Sequence, residues 1–332
     1  MQNIQLKSTY KFSEIKGLLS KDLLKVEDII INKLKSEIPL INDLTKHILS
    51  GGGKKIRPII TLISSYLCNY NSDKHLLLAA TVEFIHTATL LHDDVVDQSK
   101  LRRGDVTAND LFGNKASVLT GDFFFTKAFE LMVESKSLEV LKLLSKASSI
   151  IAQGEILQLT TSNDCNITEK KYTEVIYAKT ASLFSAASEI GSIISQEEEK
   201  KRIALKNYGK NLGLAFQIID DLLDYTGQTS LGKTLGDDFR EGKITFPVIV
   251  CLKNASSQEI DFWERTMQNL KQKDGDFEIA INFIKKSNAI KISKQKAQHY
   301  ALQAIEDLKI FPNSIWKTAL ISLAKIVIER KK

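Results

Sequence analysis

The sequence predicts an all-α protein. Three observations carry that expectation. Sixteen glycines and four prolines are few helix-breaking residues for a chain of 332. Apolar residues recur at three- and four-residue spacing along most of the length. No stretch shows the sustained alternation of a half-buried strand. With 43% hydrophobic and 26% charged residues the composition is that of a globular protein. A net charge of +6, spread along the chain, is too weak and diffuse for a nucleic-acid surface.

The first helical repeat covers 18–38 (LLSKDLLKVEDIIINKLKSEI). The same spacing predicts helices over 56–70, 76–97, 117–134, 137–160, 169–195, 199–224, 258–271, 276–286, 289–309 and 314–330. Short breaks separate them: Gly51-Gly52-Gly53, Gly104-Asp105, Ser162-Asn163-Asp164, Gly227 to Gly242, and Pro312-Asn313. None is long enough for an interdomain linker, so residues 21–332 read as one domain and 1–20 as a loosely held extension. The most apolar stretch, Leu76 to Leu91, is interrupted by Glu83 and His86 and falls short of the ~20 residues a membrane span needs. The last helix is amphipathic with a basic end and reads as a packed terminal helix, without stable membrane insertion. The N-terminus has no apolar core of a secretory signal. Three isolated cysteines, Cys68, Cys165 and Cys251, give neither a disulfide framework nor paired metal-ligand spacing, which suits a reduced, cytoplasmic setting.

Two acidic motifs carry the chemistry. In LLHDDVVDQ, Asp93 and Asp97 are four residues apart and aim from one helical face, with Asp94 between them. Like charges one turn apart repel, and nothing basic sits between them. An outside cation would offset that repulsion, and carboxylate oxygens suit hard divalent ions such as Mg²⁺, often held together with substrate phosphates. The spacing returns in FQIIDDLLDY at Asp220, Asp221 and Asp224. Both copies lie in apolar helices, where carboxylates are seldom ordinary surface residues.

Basic residues sit beside these motifs. GGGKKIRP brings Lys54, Lys55 and Arg57 into a helix start, although it lacks the pattern of a P-loop. Arg102 and Arg103 follow the first motif, and Lys179-Thr180 interrupts the small apolar run YAKTASLFSAA. Lys233 and Lys243 flank Gly236-Asp237-Asp238. Two acidic clusters, bridging metals and a ring of cations describe a pyrophosphate site.

In these stretches, and in EFIHTATLLHDDVVDQSKLRRGDVTAN, GNKASVLTGDFFFTKAFELM, GEILQL, GLAFQIIDDLLDY and LGKTLGDDFREGKITFPVI, the sequence resembles the trans-type polyprenyl diphosphate synthases, most closely the bacterial octaprenyl diphosphate synthases. The resemblance runs from about residue 20 to the C-terminus. It implies the all-α isoprenoid synthase fold, a single helical bundle around a deep central cavity, and a homodimer. It implies that isopentenyl diphosphate is condensed repeatedly onto an allylic diphosphate such as farnesyl diphosphate, with Mg²⁺, to give octaprenyl diphosphate for quinone side chains. Lys54, Arg57, His86 and Arg103 would then bind isopentenyl diphosphate. Asp93 and Asp97 would hold metal against the allylic diphosphate, with Arg102 touching that diphosphate. Asp220 would hold a further metal, supported by Asp221 and Asp224. Lys179, Thr180, Gln217, Lys233 and Lys243 would line the allylic site. Gln98 is a minor departure, since relatives often carry an acid there.

For product length the same resemblance directs attention to Ala88 and Thr89, one turn before Asp93. Bulky aromatics near Ala88 close the tunnel in shorter-chain relatives, so alanine leaves it open. The floor is expected deeper, at Met132, Phe129 or Phe125, with Met132 the specific candidate. Rival expectations are a synthase of another chain length (geranylgeranyl, heptaprenyl, solanesyl or decaprenyl), a terpene cyclase, a metal phosphohydrolase built on His92-Asp93, or a non-catalytic subunit of a heteromeric synthase. The basic residues of a second diphosphate site argue against the cyclase, and two intact acidic motifs argue against the non-catalytic subunit.

Overall fold

The computed structural model describes residues 8–102, 104–227 and 235–330, and 77% helix bears out the all-α expectation. Arg103 and Lys233 lie outside the described residues. Ten helices position the site: α1 (Ser20–Leu34), α2 (Ile56–Leu67), α3 (Lys74–Val96), α4 (Asn114–Glu134), α5 (Leu138–Thr161), α6 (Glu169–Ile176), α7 (Ser182–Ile194), α8 (Glu199–Thr226), α9 (Phe246–Leu252) and α10 (Ala289–Asp307). A terminal helix, α11 (Ile315–Ile328), closes the chain. The Gly104 break is the turn of a small antiparallel ribbon, β1 (Leu101–Arg102) with β2 (Asp105–Val106).

Helices α2, α7 and α8 pack side by side, and their sequences explain how closely. In α2, Ile59, Ile60, Leu62 and Ile63 are all fully buried, each contributing roughly 1.5–3 kcal/mol. Its Ser64 and Ser65 hydroxyls donate back to the Thr61 carbonyl, so polar residues sit inside the core at no unsatisfied cost. A Cβ on Gly191 of α7 would lie 2.4 Å from the Ser64 carbonyl carbon, and one on Gly209 of α8 would lie 2.3 Å from the Phe184 carbonyl oxygen. Only glycine permits either approach. A second core, built on Tyr172, Ile218, Phe246, Trp263 and Ala297, forms on the other side of α8, where α9 and α10 pack.

Five sequence expectations change. Residues 8–19 are not a loose extension: Phe12–Leu18 is helical, Ile15 and Leu19 are fully buried, and the Tyr10 amide donates to Ser322 Oγ at 2.9 Å. The expected helix over 169–195 is broken by a π-turn at Tyr177–Ala181, and the one over 258–271 ends in a π-turn at Glu264–Gln268. The helix Pro39–Ser50 has no counterpart in the reading of periodicity, although proline suits its first turn. The short helices Ala108–Phe112, Asp237–Arg240 and α9 fall in stretches too brief for periodicity to register.

Candidate active site

The first acidic motif sits where α3 stops. Asp93 is in the last turn, and Asp97 caps the helix by donating its amide to the Asp93 carbonyl at 2.8 Å. The chain then turns through Gln98 in the left-handed region (φ 51°), which ends the helix and leaves Asp97 on the same end of α3 as Asp93. Two lysines answer the pair. Lys179 Nζ lies 3.3 Å from Asp93 Oδ2 and 2.8 Å from Glu155 Oε2. Lys243 Nζ lies 2.9 Å from Asp97 Oδ2 and 2.5 Å from Glu241 Oε2.

Lys179 reaches Asp93 because of the π-turn. The extra residue per turn shifts Lys179 and Thr180 out of α-helical register, a feature often found at functional sites. Gly154 sets the other wall: a Cβ there would be 2.6 Å from Ala178 Cβ and 2.9 Å from the Lys179 amide. Helix α5 therefore presses against the π-turn, and the next residue, Glu155, lands beside Lys179. Burial pulls the Lys179 ammonium down, but Asp93 and Glu155 outweigh it and hold it above its ordinary value. Burial raises both acids, with Asp97 adding to Asp93, and Asp93 helping push Glu155 up to about 6.

Asp94, expected to be catalytic, points the other way. It is 4% exposed and takes a forked set of bonds from Arg102, from Nε at 2.9 Å and Nη2 at 2.6 Å. The guanidinium expected to grip a diphosphate directly is thus anchored by Asp94, which also fixes the ribbon to the end of α3.

The second motif divides its three acids among different tasks. Asp220 is half-exposed, 3.7 Å from Arg330 Nη2. Asp221 is buried; it accepts from Tyr172 Oη at 2.5 Å and from Gln217 Nε2 at 2.7 Å. Gln217 in turn accepts from Thr180 Oγ1 at 2.8 Å. Burial pushes the Asp221 carboxyl up to about 7; the bonds from Tyr172 and Gln217 oppose the rise, and Asp220 and Asp224 add to it. Asp224, expected as a metal ligand, engages backbone amides. Its two carboxylate oxygens accept the Asp237 and Asp238 amides at 3.3 and 3.1 Å, capping the helix Asp237–Arg240.

The other expected residues fall as follows. Lys54 and Arg57 flank the start of α2, with Lys55 between them in the left-handed region (φ 49°). Lys55 turns aside to Glu27 at 3.6 Å, while the Arg57 guanidinium stands 4.6 Å over the Phe184 ring. Lys54 lines a cavity with Phe12, Ile56, Val327 and Arg330. His86 is on α3, two turns before Asp93, and its carbonyl accepts from Thr89 Oγ1 at 2.8 Å. Of the chain-length candidates, Ala88 is fully buried on the same helix, and Met132 is enclosed by the core. Phe125 is half-buried and Phe129 42% exposed on α4, so Phe129 faces outward from the chain.

Among the described residues no three acids or histidines already converge as a closed metal cage. The donor set nonetheless fits a hard divalent ion that completes its shell with phosphate: Asp93 and Asp97 share one helix end, and each is neutralised by a lysine able to swing to a second acid. Glu155, Tyr172, Glu241 and Arg330 belong to this surround and were not singled out by sequence. Glu155 lies in the stretch GEILQL, whose glycine was its best signal; Tyr172 and Arg330 carry no local signature.

An all-helical frame that gathers two aspartate motifs and a set of cations at the ends of α3 and α8 defines an enzyme handling diphosphates. Residues 38–284 match the polyprenyl synthetase family. Octaprenyl diphosphate synthase of Escherichia coli strain K12 is 43% identical over 325 residues, covering 96% of this chain and 99% of that protein. A crystal structure of polyprenyl synthase from Caulobacter crescentus CB15, complexed with calcium and isoprenyl diphosphate, superposes with a TM-score of 0.94 at 44% identity, covering 98% and 99% of the two chains. A decaprenyl diphosphate synthase from Rhodobacter capsulatus gives 0.92 at 43%, covering 97% and 100%. The chain belongs to the polyprenyl synthetase family. It is a long-chain trans-prenyl diphosphate synthase, a transferase. No helix among the described residues is long and apolar enough to cross a membrane.

Proposed function

We propose that this synthase extends farnesyl diphosphate with isopentenyl diphosphate, using Mg²⁺, to octaprenyl diphosphate for quinone side chains. The observation that carries the reading is the Asp93–Asp97 pair, balanced by Lys179 and Lys243 at one helix end. The 43% identity to an octaprenyl synthase over nearly its whole length supports the product, with decaprenyl the second reading on the strength of an equally similar relative.

In this reading Asp93, Asp97 and Asp220 would hold Mg²⁺, which when bound would supply the positive charge that makes the allylic diphosphate a better leaving group. Lys179 and Lys243 then turn from their carboxylates to the diphosphate, joined by Arg102 and Lys233. The allylic carbon–oxygen bond breaks and the diphosphate leaves with the electron pair. The Thr180 hydroxyl proton is committed to Gln217, which leaves its oxygen lone pairs to face the allylic cation. Lys54, Arg57, His86 and Arg103 hold isopentenyl diphosphate so that its double bond attacks that carbon. A new carbon–carbon bond forms, and the released pyrophosphate takes the proton that restores the alkene.

A homodimer is part of the proposal. Helices α4 and α5 leave Leu119, Val133, Leu138, Ile156 and Leu159 each more than 60% exposed, a face suited to a second copy. Three separate thiols agree with a reduced, cytoplasmic setting. The test is purified protein with farnesyl diphosphate, radiolabelled isopentenyl diphosphate and Mg²⁺, with the dephosphorylated products separated by length. A dominant forty-carbon product is expected. A fifty-carbon product would favour the decaprenyl reading, and no extension by folded protein would overturn the proposal.

A further inference from the structure

Glu155 has no place in the steps above, yet it makes the shorter of the two contacts to Lys179: 2.8 Å against 3.3 Å for Asp93. Its position is built rather than incidental. Gly154 brings α5 against the π-turn at a separation only glycine tolerates, and Lys179 is displaced by that same π-turn. Glu155 Oε1 is sequestered from solvent and accepts no hydrogen bond from the described residues, and the carboxylate meets the lysine through Oε2. A lysine with Asp93 as its single partner would form a closed ion pair there, and a metal ion would have to break that pair before reaching Asp93.

We propose that Glu155 is a positioning residue that acts through Lys179. It provides the ammonium with a second anionic partner, so that Asp93 can release the lysine to accept a metal ion while Lys179 stays charged, paired and close to the diphosphate. This rests on the assignment of Asp93 as a metal ligand made above. The geometry distinguishes it from a directly ligating role, because Glu155, Asp93 and Asp97 do not converge as a three-acid site among the described residues.

The test is Mn²⁺ binding in the presence of inorganic pyrophosphate, followed by electron paramagnetic resonance on the purified protein, with thermal melts to confirm folding. Glu155→Gln is expected to weaken Mn²⁺ binding about tenfold in the otherwise unchanged protein, within the usual range of coupling between contacting charges. In a Lys179→Met background the same change is expected to have less than about a twofold effect, because the lysine through which it acts is gone. Glu155→Asp, which keeps the charge, should restore part of the affinity. An equal loss in both backgrounds would show that Glu155 acts on the metal directly and would overturn the inference. So would no loss in either. Asp93→Asn separates the two levels: if it leaves Mn²⁺ binding intact, the metal assignment falls and this inference with it. If it abolishes binding while Glu155→Gln has no effect, only the inference falls.

Discussion

Tyr172→Phe removes one oxygen atom from a buried chain of hydrogen bonds, and its effect should depend on pH. The Tyr172 hydroxyl donates to Asp221 Oδ2 at 2.5 Å, both side chains are buried, and the other carboxylate oxygen is served by Gln217. Burial lifts the Asp221 carboxyl from 3.8 to about 7 in spite of those two donors. A raised carboxyl pKa means that the folded state binds more protons than the unfolded chain between those values. The group's contribution is therefore fully present below pH 4 and is lost as pH rises toward 7. Without the tyrosine the folded value rises further, so the loss continues above pH 7. A bond to a neutral carboxyl contributes about 0.5–1.5 kcal/mol, and one to a carboxylate about 1.5–3 kcal/mol. The variant should therefore lose about 1 kcal/mol at pH 6 and about 2–3 kcal/mol at pH 8.5. Urea unfolding of metal-free protein at both pH values, at one fixed protein concentration, reads the difference. An equal loss at the two pH values, with unchanged denaturant dependence, would refute the account of Asp221.

Four further changes probe other parts of the molecule. Asp224→Asn, which removes the charge capping the helix Asp237–Arg240, should lower stability by about 1 kcal/mol while Mn²⁺ binding persists; loss of the metal with unchanged stability would return Asp224 to the ligand set. Gly191→Ala places a methyl 2.4 Å from the α2 backbone and should cost about 1–3 kcal/mol, seen as a fall in melting temperature of several degrees; an unshifted melt would mean that α2 and α7 are not so tightly apposed. Ala88→Phe should shorten the product and Met132→Ala lengthen it, read from product chain lengths; an unchanged distribution in either variant removes that residue from control of length.

The frame was legible because its long helices repeat apolar residues over many turns, as α3 and α8 do, and that signal survives any tertiary context. What escaped is short or cooperative. The helix Asp237–Arg240 is too brief for a period and exists because the Asp224 carboxylate, thirteen residues back, accepts its first amides. The π-turn at Tyr177–Ala181 is invisible to spacing, since one extra residue leaves the apolar pattern nearly intact while rotating Lys179 toward Asp93. Glu155 and Tyr172 reach the site only through helix contacts, at Gly154 and across α8, that no local pattern encodes.

The two acidic motifs make the same point about a repeated sequence. Each places acids at i, i+1 and i+4, and the spacing alone gives both the same geometry. Their difference arises from where each helix ends. Helix α3 stops at Val96, so Asp97 is a cap residue at the helix end, and the chain leaves through Gln98 with Lys243 paired to its carboxylate. Helix α8 runs on to Thr226, so Asp224 lies inside the last turn, and the returning loop brings the Gly236 amide to its carbonyl at 3.0 Å and two further amides to its carboxylate. The fifth position is consequently available to a cation in the first motif and occupied by backbone donors in the second. The middle acids diverge for a similar reason: Asp94 meets an arginine from the ribbon, whereas Asp221 meets a tyrosine and a glutamine, and burial holds its carboxyl well above the usual carboxylate range. In the proposed reading the first motif would therefore offer two carboxylates to a metal, and the second Asp220. That asymmetry places the greater negative charge at the end of α3, beside Lys179 and Thr180, where an allylic diphosphate and its metal ions would be held for ionisation.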